Sequence, residues 1–131
     1  MPIGKIMIID DEEDVREAIK MQLSGKKFEM LEAEDGEVAI NKMKSDGHFH
    51  SVGLILCDIR MPKVNGVECI DYLRKEAPGI PIVVITAFPD TELATNLMKK
   101  GIKDYLVKPV NKEKLVETVD KWLAAGRETT F

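Results

Sequence analysis

Over its 131 residues the chain alternates short apolar runs with longer amphipathic stretches, five times in succession. Lys5-Ile6-Met7-Ile8-Ile9 is a nearly continuous apolar run, as a strand buried on both faces requires. Val15, Ile19 and Leu23 then recur at helical spacing, and Gly25 closes the stripe. Phe28 to Ala33 alternates loosely and reads as a second strand near an edge. Val38, Ala39, Ile40 and Met43 mark a second helix, ended by Ser45-Asp46-Gly47. Val52 to Cys57 is again continuously apolar. Val67, Ile70, Leu73 and Ala77 form a third stripe, stopped by Pro78-Gly79. Pro81 to Ile85 is a fourth strand. A fourth helix follows Pro89-Asp90, carries Leu93, Leu97 and Met98, and closes at Gly101. Asp104 to Val107 is a short fifth strand, and Leu115, Val119, Trp122 and Leu123 mark a last helix. Short connections between such units leave one economical packing. The strands run parallel, joined by right-handed helical crossovers that cover both faces of one sheet. The expected fold class is therefore α/β, a three-layer sandwich of five β-α units.

Composition narrows the function classes. Hydrophobic residues make up 44% and charged residues 32%, an ordinary globular balance with no shift that marks a second domain. We read 1–125 as the domain and 126–131 as a polar tail or linker stub. The net charge of −4 lacks the basic footprint that phosphate-backbone binding leaves, which argues against direct nucleic-acid binding. No apolar run is long enough to span a bilayer, and no apolar signal region precedes the first strand, so a cytoplasmic, membrane-free protein is expected. Cys57 and Cys69 form no Cys-x-x-Cys and have no His at zinc spacing, so they read as small buried hydrophobes rather than a redox pair. His48 and His50 are too few for a metal site.

In open α/β sheets, ligands bind outside the carboxyl ends of the strands. Asp10-Asp11-Glu12 follows the first apolar run, Asp58 the third, Thr86 the fourth and Lys108 the fifth. Each alone has an ordinary explanation: a helix cap, a turn, a solvated charge. As a set they do not. Three carboxylates at one sheet edge repel unless a cation is present, and oxygen ligands suit a hard divalent ion such as Mg²⁺. A lysine and a hydroxyl beside that ion complete a site for a phosphoryl group.

With these residues in order on these elements, the sequence resembles a response-regulator receiver domain of two-component signalling. The carrying motifs are Asp10-Asp11-Glu12, Cys57-Asp58-Ile59-Arg60-Met61-Pro62 with Gly66 following, Thr86-Ala87 and Lys108-Pro109. The likeness covers about Lys5 to Ala125. It implies a flavodoxin-like sheet of strand order 2-1-3-4-5. It implies Asp58 as phosphoacceptor, taking a phosphoryl group from a sensor histidine kinase or a histidine phosphotransfer protein. Mg²⁺, with Mn²⁺ as a substitute, would be held by Asp11, Asp58 and the backbone carbonyl of Arg60, and by Asp10 through a water. Lys108 and Thr86 would bind phosphoryl oxygens, and Ala87 would leave room for the donor. Tyr105 would be the aromatic switch that rotates inward behind Thr86. The output surface would be the fourth helix, fifth strand and fifth helix, facing a downstream effector protein or effector domain, or a second copy in a homodimer. Lys99, Lys100, Lys103 and Lys112 lie on or beside it, open to an acidic partner or to solvent. Lys108-Pro109 is a candidate cis peptide. Arg60 and Phe88 occupy the positions that tune phosphoryl lifetime; neither offers a carboxylate or amide to orient water, so slow self-dephosphorylation is expected.

A switch that catalyses only its own phosphorylation is not a turnover enzyme. The alternative is a Mg²⁺-dependent phosphotransferase or phosphatase with an aspartyl-phosphate intermediate. Against it, dehalogenase-type enzymes carry a second Asp two residues after the nucleophile, where this chain has Arg60, and no cap domain is present. A nucleotide or flavin binder has no G-x-x-x-x-G-K-[ST] or G-x-G-x-x-G to support it.

Overall fold

The computed structural model describes residues 4–25, 28–45, 51–59, 66–87 and 89–128. Arg60, Met61, Pro62 and Phe88, and the His48/His50 pair, lie outside the described residues. The elements alternate as expected: β1 (Gly4–Ile9), α1 (Glu13–Gln22), β2 (Phe28–Ala33), α2 (Gly36–Ser45), β3 (Val52–Asp58), α3 (Gly66–Glu76), β4 (Ile82–Thr86), α4 (Thr91–Lys99), β5 (Asp104–Val107) and α5 (Lys112–Glu128). The five strands form one parallel sheet in the order β2-β1-β3-β4-β5, a flavodoxin-like arrangement that puts β2 at an edge. The last helix runs on through Gly126 to Glu128, past residue 125. Among the described residues, no helix is long and apolar enough to cross a membrane.

The two-residue period of the strands sorts the core into two halves. Met7, Ile9, Ile55, Cys57 and Val84 point to one face and meet Ala39, Ile40 and Met43 of α2, Ile70 and Leu73 of α3, and Leu97 of α4. Ile6, Ile8, Leu54, Leu56, Val83, Ile85 and Leu106 point to the other and meet Ile19 of α1, Leu23 at its C-cap, and Leu115, Val119 and Leu123 of α5. The strands are apolar on both faces because helices cover both, and each fully buried Ile or Leu contributes about 1.5–3 kcal/mol. Glycines let α5 approach the sheet: a Cβ on Gly4 or Gly53 would lie 2.9 Å from a Leu123 methyl.

Helix ends follow local chemistry. Asp90 caps α4 by accepting from the Leu93 N–H at 3.0 Å, so Thr86 is not that helix's cap. The α4 terminus is a Schellman motif: Ile102 N–H donates to the Leu97 carbonyl and Gly101 N–H to that of Met98. Gly101 sits at φ +104°, where a side chain is strained, and an added Cβ would come 2.9 Å from Arg74 Nε. The α1 N-cap is Glu12, which makes no side-chain cap bond; Asp10 instead accepts from the Glu12 N–H.

Candidate functional site

Strand register brings the polar residues together. Ile9 pairs with Cys57, Asp58 with Ile85, and Thr86 with Val107, so the residue after β1 lies beside the end of β3, with the ends of β4 and then β5 on the other side. Main-chain bonds extend the ladder past the strands and fix these positions. Asp10 N–H donates to the Ala33 carbonyl at 3.1 Å, Ile59 N–H to Ile85 at 2.9 Å and Lys108 N–H to Thr86 at 2.8 Å.

The Asp58 side chain is 2% exposed and ion-pairs with the Lys108 ammonium, which keeps some access to solvent. Asp10, only 1% exposed, lies against Asp58. Its Oδ1 accepts from Glu12 N–H at 2.7 Å, while its Oδ2 is buried with no hydrogen-bond donor among the described residues. Asp58 Oδ2 has only the ion pair and no hydrogen bond of good geometry. Burial pushes the Asp10 carboxyl up to about 7, the Glu12 N–H opposes this, and contact with Asp58 adds to the rise. Among the described residues, two facing carboxylates with one ammonium leave a deficit of positive charge.

Thr86 is buried at the end of β4. Asp11 is exposed and stands with Asp10 and Asp58 on the wall of a pocket of about 390 Å³. Among the described residues, no three His, Cys, Asp or Glu side chains close on one point. The orphaned oxygens of Asp10 and Asp58 nevertheless fit a hard cation, because Mg²⁺ usually takes one or two carboxylates and completes its shell with other oxygens and water. Tyr105 is half-buried against the α2–α3–α4 side of the core, and its hydroxyl is buried with no partner among the described residues. The Lys108-Pro109 peptide is cis. Lys100 is not a free cation on its surface, since it pairs with Asp71 at 3.0 Å.

The sequence reading missed a supporting set. Arg16 donates Nη1 to the Asp10 carbonyl at 2.6 Å and Nε to Glu32 at 3.0 Å. Lys20 donates to the same Glu32 at 2.8 Å, and this bond, with that of Arg16, holds the Glu32 carboxyl below its usual range. The sequence shows only a guanidinium one helical turn after the acidic run; its partner Glu32 follows from the packing. One of the two cysteines departs from the expectation. Cys57 is a buried core residue, but Cys69 is half-buried and packs against the core cluster that contains Cys57.

Comparison with known proteins agrees with this geometry. Residues 6–120 match the response regulator receiver domain family. The chain is 34% identical over 128 residues to the transcriptional regulatory protein ZraR of Salmonella typhimurium, covering 96% of this chain and 28% of that protein. It is 36% identical over 124 residues to the transcriptional regulatory protein DegU of Brevibacillus brevis, covering 93% and 50%. It therefore spans about a quarter to a half of these relatives. A response regulator receiver domain from Clostridium thermocellum superposes with a TM-score of 0.83 at 26% identity, covering 95% of this chain and 98% of that one. With that match spanning nearly every strand and helix, the chain belongs to the response-regulator receiver domain family of two-component systems.

Proposed function

We propose that this domain is a phosphorylation switch in which Asp58 accepts a phosphoryl group from a histidine kinase or histidine phosphotransfer protein. The observation that carries the reading is the buried Asp58 carboxylate, held between the Lys108 ammonium and the Asp10 carboxyl at the end of the central strand. One Asp58 oxygen attacks phosphorus, the P–N bond to the donor imidazole breaks, and an acyl phosphate forms. Lys108 leaves the carboxylate for a phosphoryl oxygen, so its charge follows the charge that builds there. Thr86 donates its hydroxyl to another. Mg²⁺, held by Asp11, Asp58, the Arg60 carbonyl and, through water, Asp10, would supply the missing positive charge between nucleophile and phosphoryl oxygens.

The acyl phosphate brings roughly 1.5–2 negative charges and three acceptor oxygens to the strand ends. Drawing Thr86 toward them opens space behind it, and Tyr105, whose buried hydroxyl has no partner among the described residues, rotates into it. The α4-β5-α5 surface then presents a changed face to an effector domain, an effector protein or a second copy. Arg60 and Phe88 set a slow hydrolysis. The domain comprises 1–125 and works in the cytoplasm.

Incubation with acetyl phosphate and Mg²⁺ tests the proposal. The expected result is a persistent mass gain of one phosphoryl group that hydroxylamine removes, mapping to Asp58 and absent in Asp58→Asn. Rapid turnover of many small phosphate esters would replace the switch with an enzyme.

A further inference from the structure

Two nucleophiles beside Asp58 take no part in the proposed phosphotransfer. Cys57 directly precedes Asp58 on β3 and is 2% exposed. Cys69 lies in the first turn of α3 and is only half-buried. Both are free thiols, Cys69 packs against the core cluster that contains Cys57, and both line the pocket of about 390 Å³ that holds Asp10, Asp11 and Asp58. Gly36 at the start of α2 completes the arrangement. An added Cβ there would lie 3.3 Å from the Cys69 sulfur.

We propose that Cys57 and Cys69 form a reversible intramolecular disulfide on the wall of the Asp58 pocket, with peroxide as the oxidant. The exposed partner attacks. The Cys57 thiol and the Gly36 N–H both stabilise a Cys69 thiolate and hold its proton affinity below that of a free cysteine, against the opposing effects of burial and Asp35. The thiolate attacks one oxygen of hydrogen peroxide, the O–O bond breaks, and the departing hydroxide takes up the proton that Cys69 released, giving water and a Cys69 sulfenic acid. The Cys57 sulfur then attacks Cys69 Sγ, the S–O bond breaks, and the Cys57 proton leaves with the hydroxide as a second water. Two electrons pass from the thiols to one peroxide. The two side chains already meet on one pocket wall, and closure forms a bond of ~2.05 Å between β3 and α3. A dithiol reductant reverses the step.

The bond would tie the end of the phosphoacceptor strand to α3 and narrow the pocket beside Asp58. Oxidation therefore slows phosphorylation, a consequence that rests on the function proposed above.

The test treats the reduced, full chain with hydrogen peroxide, then alkylates it under denaturing conditions. The expected product is a monomer two hydrogens lighter, with no alkylatable thiol, whose non-reducing peptide map links Cys57 to Cys69; dithiothreitol restores both thiols. Cys57→Ser should instead accumulate a dimedone-reactive sulfenic acid on Cys69, and Cys69→Ser should leave Cys57 unmodified. Sulfinic acid on Cys69 of the unsubstituted chain, disulfides between chains, or two thiols that stay alkylatable would overturn the assignment. Acetyl phosphate labelling of the oxidised chain should fall severalfold and recover with dithiothreitol; unchanged labelling would overturn the gating. A reduced chain that never labels would refute the phosphoacceptor role while leaving the disulfide result intact.

Discussion

Replacing Lys108 with Met asks how much the site depends on the cation that pairs with Asp58. The substitution keeps most of the side-chain length and removes the charge that faces Asp58. What remains is a carboxylate with a 2%-exposed side chain, lying against Asp10. Stripping one partner from a buried ion pair costs about 3–5 kcal/mol. The Lys108 side chain is 28% exposed, so the pair is wetter on the cation side, and about 2–3 kcal/mol is the fitting figure. For a chain of this size each kcal/mol moves Tm by about 3–5 °C, giving a fall of about 6–15 °C. Lys108 also holds the Asp10 carboxyl down, so its loss raises that group further. At pH 5.5 Asp10 carries its proton in either protein, and the fall should be smaller than at pH 8. Thermal melts by circular dichroism in EDTA at both pH values measure this. An unchanged or higher Tm at pH 8, or equal losses at the two pH values, would refute the charge deficit.

Other outcomes follow from the same geometry. The Asp10 carboxyl is raised from 3.8 to about 7, so the folded chain holds that proton more tightly than the unfolded chain does. Its contribution to stability is complete below pH 3.8 and is lost as pH rises through about 7; in EDTA, Asp10→Asn should shift the urea midpoint upward at pH 8 and little at pH 4. Gly101→Ala, at φ +104° and against Arg74, should cost about 1–2 kcal/mol in urea unfolding with an unchanged m-value. Arg60→Asn with Phe88→Glu supplies groups that can orient water, and should shorten the acyl phosphate half-life measured by loss of label; an unchanged half-life contradicts the role given to these positions.

Parallel topology explains why so much was legible. A strand covered on both faces has to be apolar throughout, so β1, β3 and β4 stand out as runs, and the first polar residue after each has to emerge at one edge. That reasoning places Asp10, Asp58 and Thr86 without any knowledge of register, and Lys108 follows the shorter β5 at the same edge. β2 and β5 were delimited correctly at Phe28–Ala33 and Asp104–Val107 because turn residues bound them. What stayed hidden depends on direction as well as position. Arg16 and Glu32 meet only because α1 packs across β1 toward β2, a fact of three-dimensional crossing. Asn111 accepts from the Lys114 N–H at 2.7 Å and so starts α5, a local signal that was overlooked. Cys57 and Cys69 are twelve positions apart on different elements, and composition alone makes them ordinary core residues.

The central claim is that Asp58 is the nucleophile of a cation-assisted phosphotransfer. Phosphorus NMR of the chain with acetyl phosphate, recorded in EDTA and then in millimolar Mg²⁺, tests it most directly. The account predicts a protein-bound acyl phosphate resonance that appears only with Mg²⁺ and is missing from Asp58→Asn. A resonance of equal size in EDTA, or one that survives in Asp58→Asn, would contradict it.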